Sequence, residues 1–167
     1  MMKPAATSCN HLAKLGDKFI SELSEMDVAA QSSPGGKTAG WLIGHLAITG
    51  DFVRRKLGRP PLTPKEWGPL FGPGTQPSNE AAYYPPLADL RSAFKNVYAD
   101  LASIALDQSE TVLGGPNPFE PVRDRLPTMG DFATWIMTGH LGYHLGQLAE
   151  LRASASRAFL DGWDSKR

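Results

Sequence analysis

Behind the pair Pro85-Pro86, six apolar residues, Leu87, Leu90, Phe94, Val97, Leu101 and Ile104, recur at steps of three and four. That period lays them along one stripe of an α-helix, whereas a strand would scatter them over both of its faces. Three further segments repeat the pattern. Thr7 or Ser8 is placed to cap a first helix carrying Leu12, Leu15, Phe19, Ile20, Leu23 and Met26, which must stop before the breaker cluster Ser32-Ser33-Pro34-Gly35-Gly36. Thr38 caps a second, with Trp41, Leu42, His45, Ile48, Thr49 and Phe52 inside, running to about Leu57-Gly58. The last opens at Thr128, with Asp131 three residues on as a shortened capping box, and continues through Phe132, Ile136, Met137, His140, Leu141, His144, Leu148 and Leu151. A short helix around Ser156 to Leu160 is expected to follow it.

No strand-like alternation and no internal repeat accompanies these segments. The fold class is therefore all-α, one domain over residues 1–167, a four-helix bundle in which sites are built from inward-facing side chains of several helices. Composition narrows the function. The formal net charge is zero, and the one short basic run, Arg54-Arg55-Lys56, reads as the solvated end of a helix, so no nucleic-acid partner is expected. No run is long enough to cross a bilayer, and the start Met1-Met2-Lys3-Pro4 leads into no apolar signal segment, so no membrane partner is expected either. A single cysteine, Cys9, excludes an internal disulfide and a cysteine-based zinc cluster, which fits a cytoplasmic location.

Two connections are longer than a bundle needs. Residues 58–86 are rich in proline and glycine and hold Trp67, Phe71, Tyr83 and Tyr84; Thr63-Pro64-Lys65-Glu66 within them reads as a capping box for a helix of one or two turns. The aromatic residues of this loop either pack over one end of the bundle or across a dimer, or form a lid over a pocket. The second connection, Ser109 to Pro127, is similarly irregular, and the two are expected to meet at the same end.

The inward stripes carry three of the four histidines. His140 and His144 are spaced i, i+4, which puts both imidazoles on one helical face a turn apart, and His45 shares its face with Trp41, Thr49 and Phe52. Burying three imidazoles together is costly without a shared partner, so a divalent metal held by His45, His140 and His144 is the leading reading, beside histidines that merely bond in a core. No glutamate lies between His140 and His144, which disfavours metalloprotease chemistry. Gln147, a turn beyond His144, is the candidate for contacting the metal-bound histidine or a cofactor; a solvated glutamine is the alternative. Trp41 and Met137 read as core. Gly139, Gly142 and Gly146 are costly in a helix and read as a close-packed helix crossing. Asp51 is six residues past His45 and points away from it, so no general base stands out and no catalytic residue is assigned. Cys9 and His11, at what should be a frayed N-terminal end, are given no role.

Two stretches together, Pro34-Gly35-Gly36-Lys37-Thr38-Ala39-Gly40-Trp41-Leu42-Ile43-Gly44-His45-Leu46-Ala47 and Gly139-His140-Leu141-Gly142-Tyr143-His144-Leu145-Gly146-Gln147-Leu148, resemble the DinB/YfiT-like superfamily. The resemblance covers most of the chain. It implies a four-helix bundle of unusual connectivity with long inter-helix loops, commonly a homodimer. It also implies a divalent metal held by one histidine of the second helix and two of the fourth, here His45, His140 and His144. The resemblance extends to thiol-dependent enzymes that use mycothiol, bacillithiol or glutathione, among them maleylpyruvate isomerases and S-transferases. Ni²⁺, Zn²⁺ and Mn²⁺ all suit neutral imidazole ligands. Three neutral ligands leave the ion its full charge and open positions, the pattern of a catalytic site, where it lowers the pKa of a water or of a thiol. The function expected is thus a metal-dependent S-transferase or isomerase acting on a small electrophile. A non-catalytic dimeric metal- or ligand-binding stress-response protein is the alternative.

Overall fold

A computed structural model describes residues 2–31 and 33–154. Helix α1 spans Lys3–Ser21, α2 Ala39–Lys56, α3 Trp67–Phe71, α4 Leu87–Leu106, α5 Glu110–Gly114, α6 Met129–Trp135 and α7 Leu141–Ser154. A π-helical turn, Ile136–His140, joins α6 to α7, so these read as one long helical segment with a wide turn inside it. Three short 3₁₀ turns, Glu25–Ala29, Ala81–Tyr83 and Glu120–Val122, punctuate the connections. The molecule is all-α. Among the described residues the extended pairings are the isolated bridges Gln31 to Thr38 and Pro116 to Thr128. No described helix is long and apolar enough to cross a membrane. The helix expected around Ser156 to Leu160 lies outside the described residues.

The third apolar stripe needs no correction: Leu87, Leu90, Phe94, Val97, Leu101 and Ile104 are all buried. They face α1 and α2, which make the most extensive packing of the fold against α4. Pro86 has no side chain to cap α4, and the Glu25 carboxylate, brought over from the first 3₁₀ turn, accepts the N–H of Leu87 instead at 3.0 Å. Thr38 caps α2 as expected, its hydroxyl accepting the Trp41 N–H. Thr128 and Asp131 form the reciprocal capping box of α6.

Four local expectations fail for definable reasons. Helix α1 begins at Lys3, not at Thr7 or Ser8, because Pro4 suits a first turn and buried Met2, Ala5, Ala6 and Cys9 extend the apolar stripe toward the N-terminus. Cys9 is accordingly deep in the core and not frayed. The same helix stops at Ser21, and Ser24 with Asp27 caps a separate 3₁₀ turn that leaves Met26 88 % exposed. Thr63 caps nothing: its hydroxyl and its N–H both go to the Asp51 carboxylate, and the short helix starts later, at Trp67. Arg54 is no solvated helix end. It is 3 % exposed, donates to Asp51 at 2.5 Å and pairs with Asp100, which ties α2 to α4.

Candidate metal centre

One face of α2, with Lys37 just before its cap, builds half the site. Lys37, Trp41 and His45 follow each other at four-residue steps, and all three hold the loop that runs across them. The Lys37 ammonium donates to the Thr75 carbonyl at 3.0 Å, the Trp41 indole N–H to the Thr75 hydroxyl at 2.8 Å, and His45 Nδ1–H to the Phe71 carbonyl at 2.7 Å. Lys37 also sits 4.0 Å above the Trp41 ring, which stacks on His45 at 4.4 Å and 12°. The 58–86 connection packs on the bundle, as one of the two expectations had it: it buries Trp67 and Phe71, and its residues 61–74 also line a cavity next to the histidines.

The other half comes from the wide turn and α7. His140 ends the π turn and His144 lies in the first turns of α7; their rings are 4.6 Å apart, and each is about as close to His45, at 5.1 and 5.0 Å. The π turn inserts an extra residue just before His140, which the regular 3.6-residue pattern does not foresee. His144 Nδ1–H donates to Gln147 Oε1 at 2.7 Å. Gln147 is thus half-buried and bonded to a histidine rather than merely solvated.

These contacts set the protonation of two rings. The Phe71 backbone carbonyl can only accept, so Nδ1 of His45 carries the hydrogen; with Gln147 Oε1 turned to it, Nδ1 of His144 does the same, and Nε2 of each presents a bare lone pair. His45 Nε2 lies 3.2 Å from His140 Nε2. Two nitrogens bound side by side to one ion, at about 2.0–2.1 Å each, stand roughly 3 Å apart, which is the spacing found. One ligand atom from each of the three histidines lies within 4.8 Å of the others. Among the described residues His140 Nδ1 is buried with no hydrogen-bond partner, so this ring's one polar contact is the His45 ring at its Nε2. The donor set fits a divalent ion, and the three histidines could hold one.

Electrostatics keeps the rings in the ligand form. Burial pushes His45 down to about 4, with His144 and Lys37 adding to the shift and the Phe71 bond opposing it. Burial, then the neighbouring rings, pushes His140 down to about 3. Burial lowers His144 too, with the Gln147 bond opposing and Lys37 adding to the shift. All three imidazoles are therefore neutral at pH 7.

The cavity in front of them measures about 780 Å³ and reaches His45 and His140. Its charged lining residues are Lys37, Arg55 and Lys65, with no carboxylate among them. Asp51, as expected, turns from His45 and faces Arg54 and the 62–63 backbone. Met137 is core, and Trp41, 3 % exposed, is nearly so. The glycines behave differently from expectation. A Cβ on Gly146 would meet nothing within 4 Å and one on Gly142 only Leu12 at 4.0 Å, so neither marks a close helix crossing, while Gly139 lies under the indole of Trp135 in its own segment. Three features of the site had escaped sequence reasoning. The Phe71 carbonyl left no trace, being backbone; the π turn left only Gly139; Lys37 was signalled by its four-residue spacing from Trp41 and His45.

Comparison with known proteins agrees with this architecture. The family model of the DinB superfamily matches residues 14–148. A crystal structure described as a conserved protein of locus from Enterococcus faecalis has a TM-score of 0.60 at 14 % identity, over 94 % of this chain and 98 % of that one. At that identity it shows a shared fold. Curated proteins provide no match.

Proposed function

We propose, for a chain that belongs to the DinB superfamily, a metal-dependent enzyme that joins a low-molecular-weight thiol to a small electrophile, or isomerises one with the thiol's help. The observation that carries the reading is the clustering of three neutral imidazoles, two of which, His45 and His140, line a cavity large enough for small-molecule reactants. A divalent ion there, whether Ni²⁺, Zn²⁺ or Mn²⁺, supplies Lewis acidity at positions the three histidines leave open.

The chain's own residues do the rest. His45 and His144 are held in one tautomer and one orientation by Phe71 and Gln147, so the site needs little rearrangement to bind the ion. Lys37, pinned by Trp41 and Thr75 beside the histidines, has ammonium hydrogens to offer the anionic end of a thiol such as glutathione or bacillithiol. In transfer, the thiol sulfur bonds to an electrophilic carbon as its S–H bond breaks, and a leaving group departs with the bonding pair and takes up the proton. In isomerisation the same thiol adds and is expelled again, so none is consumed. Among the described residues that line the cavity there is no carboxylate, and the proton passes to the leaving group or to solvent. A homodimeric assembly belongs to the same proposal and is read by sedimentation.

The test is conjugation of monochlorobimane with glutathione, bacillithiol and mycothiol in turn, using metal-loaded protein. Turnover with at least one thiol, lost in His45→Ala, is the expected result. Absence of turnover with all three, in protein that carries metal, leaves a binding protein without catalysis.

A further inference from the structure

The cavity continues past the histidines. Its wall runs from Lys37, just before α2, through Trp41 and His45 to Ile48, Thr49 and Phe52 of that helix, and Phe52 lies about 10 Å beyond His45 along the helix axis. There three rings from three parts of the chain meet. Phe52 of α2 stands 6.2 Å from Phe119 of the second connection and 6.1 Å from Phe132 of α6, and the latter two are 5.9 Å apart. Trp135, 44 % exposed, and Ile136 complete this end. The Thr49 hydroxyl is turned to the His45 carbonyl of its own helix at 2.7 Å, and the charges that border this end are the Lys56 ammonium, 5.4 Å from the centre of the Phe52 ring, and Arg55 of the cavity lining.

Between those cations the recess is built of aromatic and aliphatic carbon. Phe52 and Phe119 are only partly buried and Trp135 less so, which leaves ring surface within reach of a flat apolar body, the kind of contact in which aromatic groups gain most from each other. The recess also communicates with the metal centre. The Trp135 indole rests on the backbone of Gly139, where a Cβ would overlap it, and the next residue is His140.

We propose that the Phe52–Phe119–Phe132–Trp135 recess is a separate subsite for the planar, uncharged, aromatic or conjugated part of the electrophile, opposite the Lys37 end of the same cavity. The proposal rests on reading the cavity as a reaction site, but its test does not. N-phenyl-1-naphthylamine, an uncharged dye that brightens in apolar surroundings, is titrated into metal-free and metal-loaded protein. Expected is saturable binding of one dye per chain, weakened at least fivefold in Phe119→Ala and in Trp135→Ala, and unchanged within twofold in Lys37→Met and His45→Ala. Phe119→Leu, which keeps the apolar bulk and loses the ring, is also expected to weaken binding and serves if the alanine variant fails to fold by circular dichroism.

Failure of the dye to bind, binding that does not saturate, or an affinity indifferent to Phe119 and Trp135 would overturn the subsite. So would a dimer in sedimentation that Phe119→Ala splits, since the recess would then belong to a second copy of the chain. A protein that binds the dye as expected yet conjugates no thiol refutes the proposed reaction and keeps the subsite. One that conjugates thiols while dye binding ignores Phe119 does the reverse.

Discussion

His45 and His144 each give Nδ1–H to an oxygen, one from the Phe71 backbone and one from the Gln147 amide, and this is what frees Nε2 of both rings. Removing such an acceptor lets the ring turn and change tautomer, and outer partners of metal-binding histidines typically matter by about 10- to 100-fold in affinity. Gln147→Leu is therefore expected to weaken metal binding by that order, read in competition with a chromophoric chelator, while leaving the helical circular dichroism intact. The neutral rings also make the metal-free protein sensitive to acid. His45 and His140 titrate near 4 and 3 in the fold against an ordinary 6.5, so between those values the unfolded chain binds more protons than the native one. Stability is then complete above about pH 6.5 and falls as the pH drops toward 3. Urea midpoints of metal-free protein at pH 7, 6, 5 and 4 should decline in that order, and His140→Leu should flatten the trend.

At the scale of elements, α2 does most to organise the site, because it packs on α4 behind and carries the loop in front. Gly44 makes the loop's approach close enough: a Cβ there would stand 2.5 Å from the ring of Phe71, which is fully buried and cannot swing away. Gly44→Ala is expected to cost about 1–3 kcal/mol in urea unfolding, the usual penalty of overpacking, and to weaken metal binding as well, because moving Phe71 moves the carbonyl that holds His45. A variant that lost stability alone would detach the loop from the metal centre. The helices themselves were legible in the sequence. Periodicity over many residues marks an apolar stripe, and Thr38 and Thr128 act as caps through contacts three residues away, so both signals are local. Where a long-range partner decides, local signals mislead. Thr63 looked like a cap until Asp51 took its hydroxyl, and Arg54 looked solvated until Asp51 and Asp100 enclosed it. The glycines were misread in the same way. Close contacts belong to Gly16, Gly40, Gly44 and Gly50, of which Gly16 meets Phe94 and Gly50 meets Val97 of α4, and not to Gly142 or Gly146.

For the whole molecule, the fold brings together residues from both halves of the chain: His45 early, His140 and His144 late, with two irregular connections closing the cavity between them. The pairing of histidines was legible because i, i+4 spacing needs no tertiary knowledge. That His45 joins them rests on packing, which its inward stripe only suggested. The lining contributed by Phe119 and by residues 61–74 depends on loops whose course no periodicity records. The central claim is that these three imidazoles share one metal ion. It is tested most directly by elemental analysis of tag-free protein, purified without chelator and reconstituted in turn with Ni²⁺, Zn²⁺ and Mn²⁺, beside His144→Ala treated identically. Close to one metal per chain is expected in the unaltered protein, with most of it lost in the variant. No bound metal after reconstitution, or metal retained equally in the variant, would contradict it.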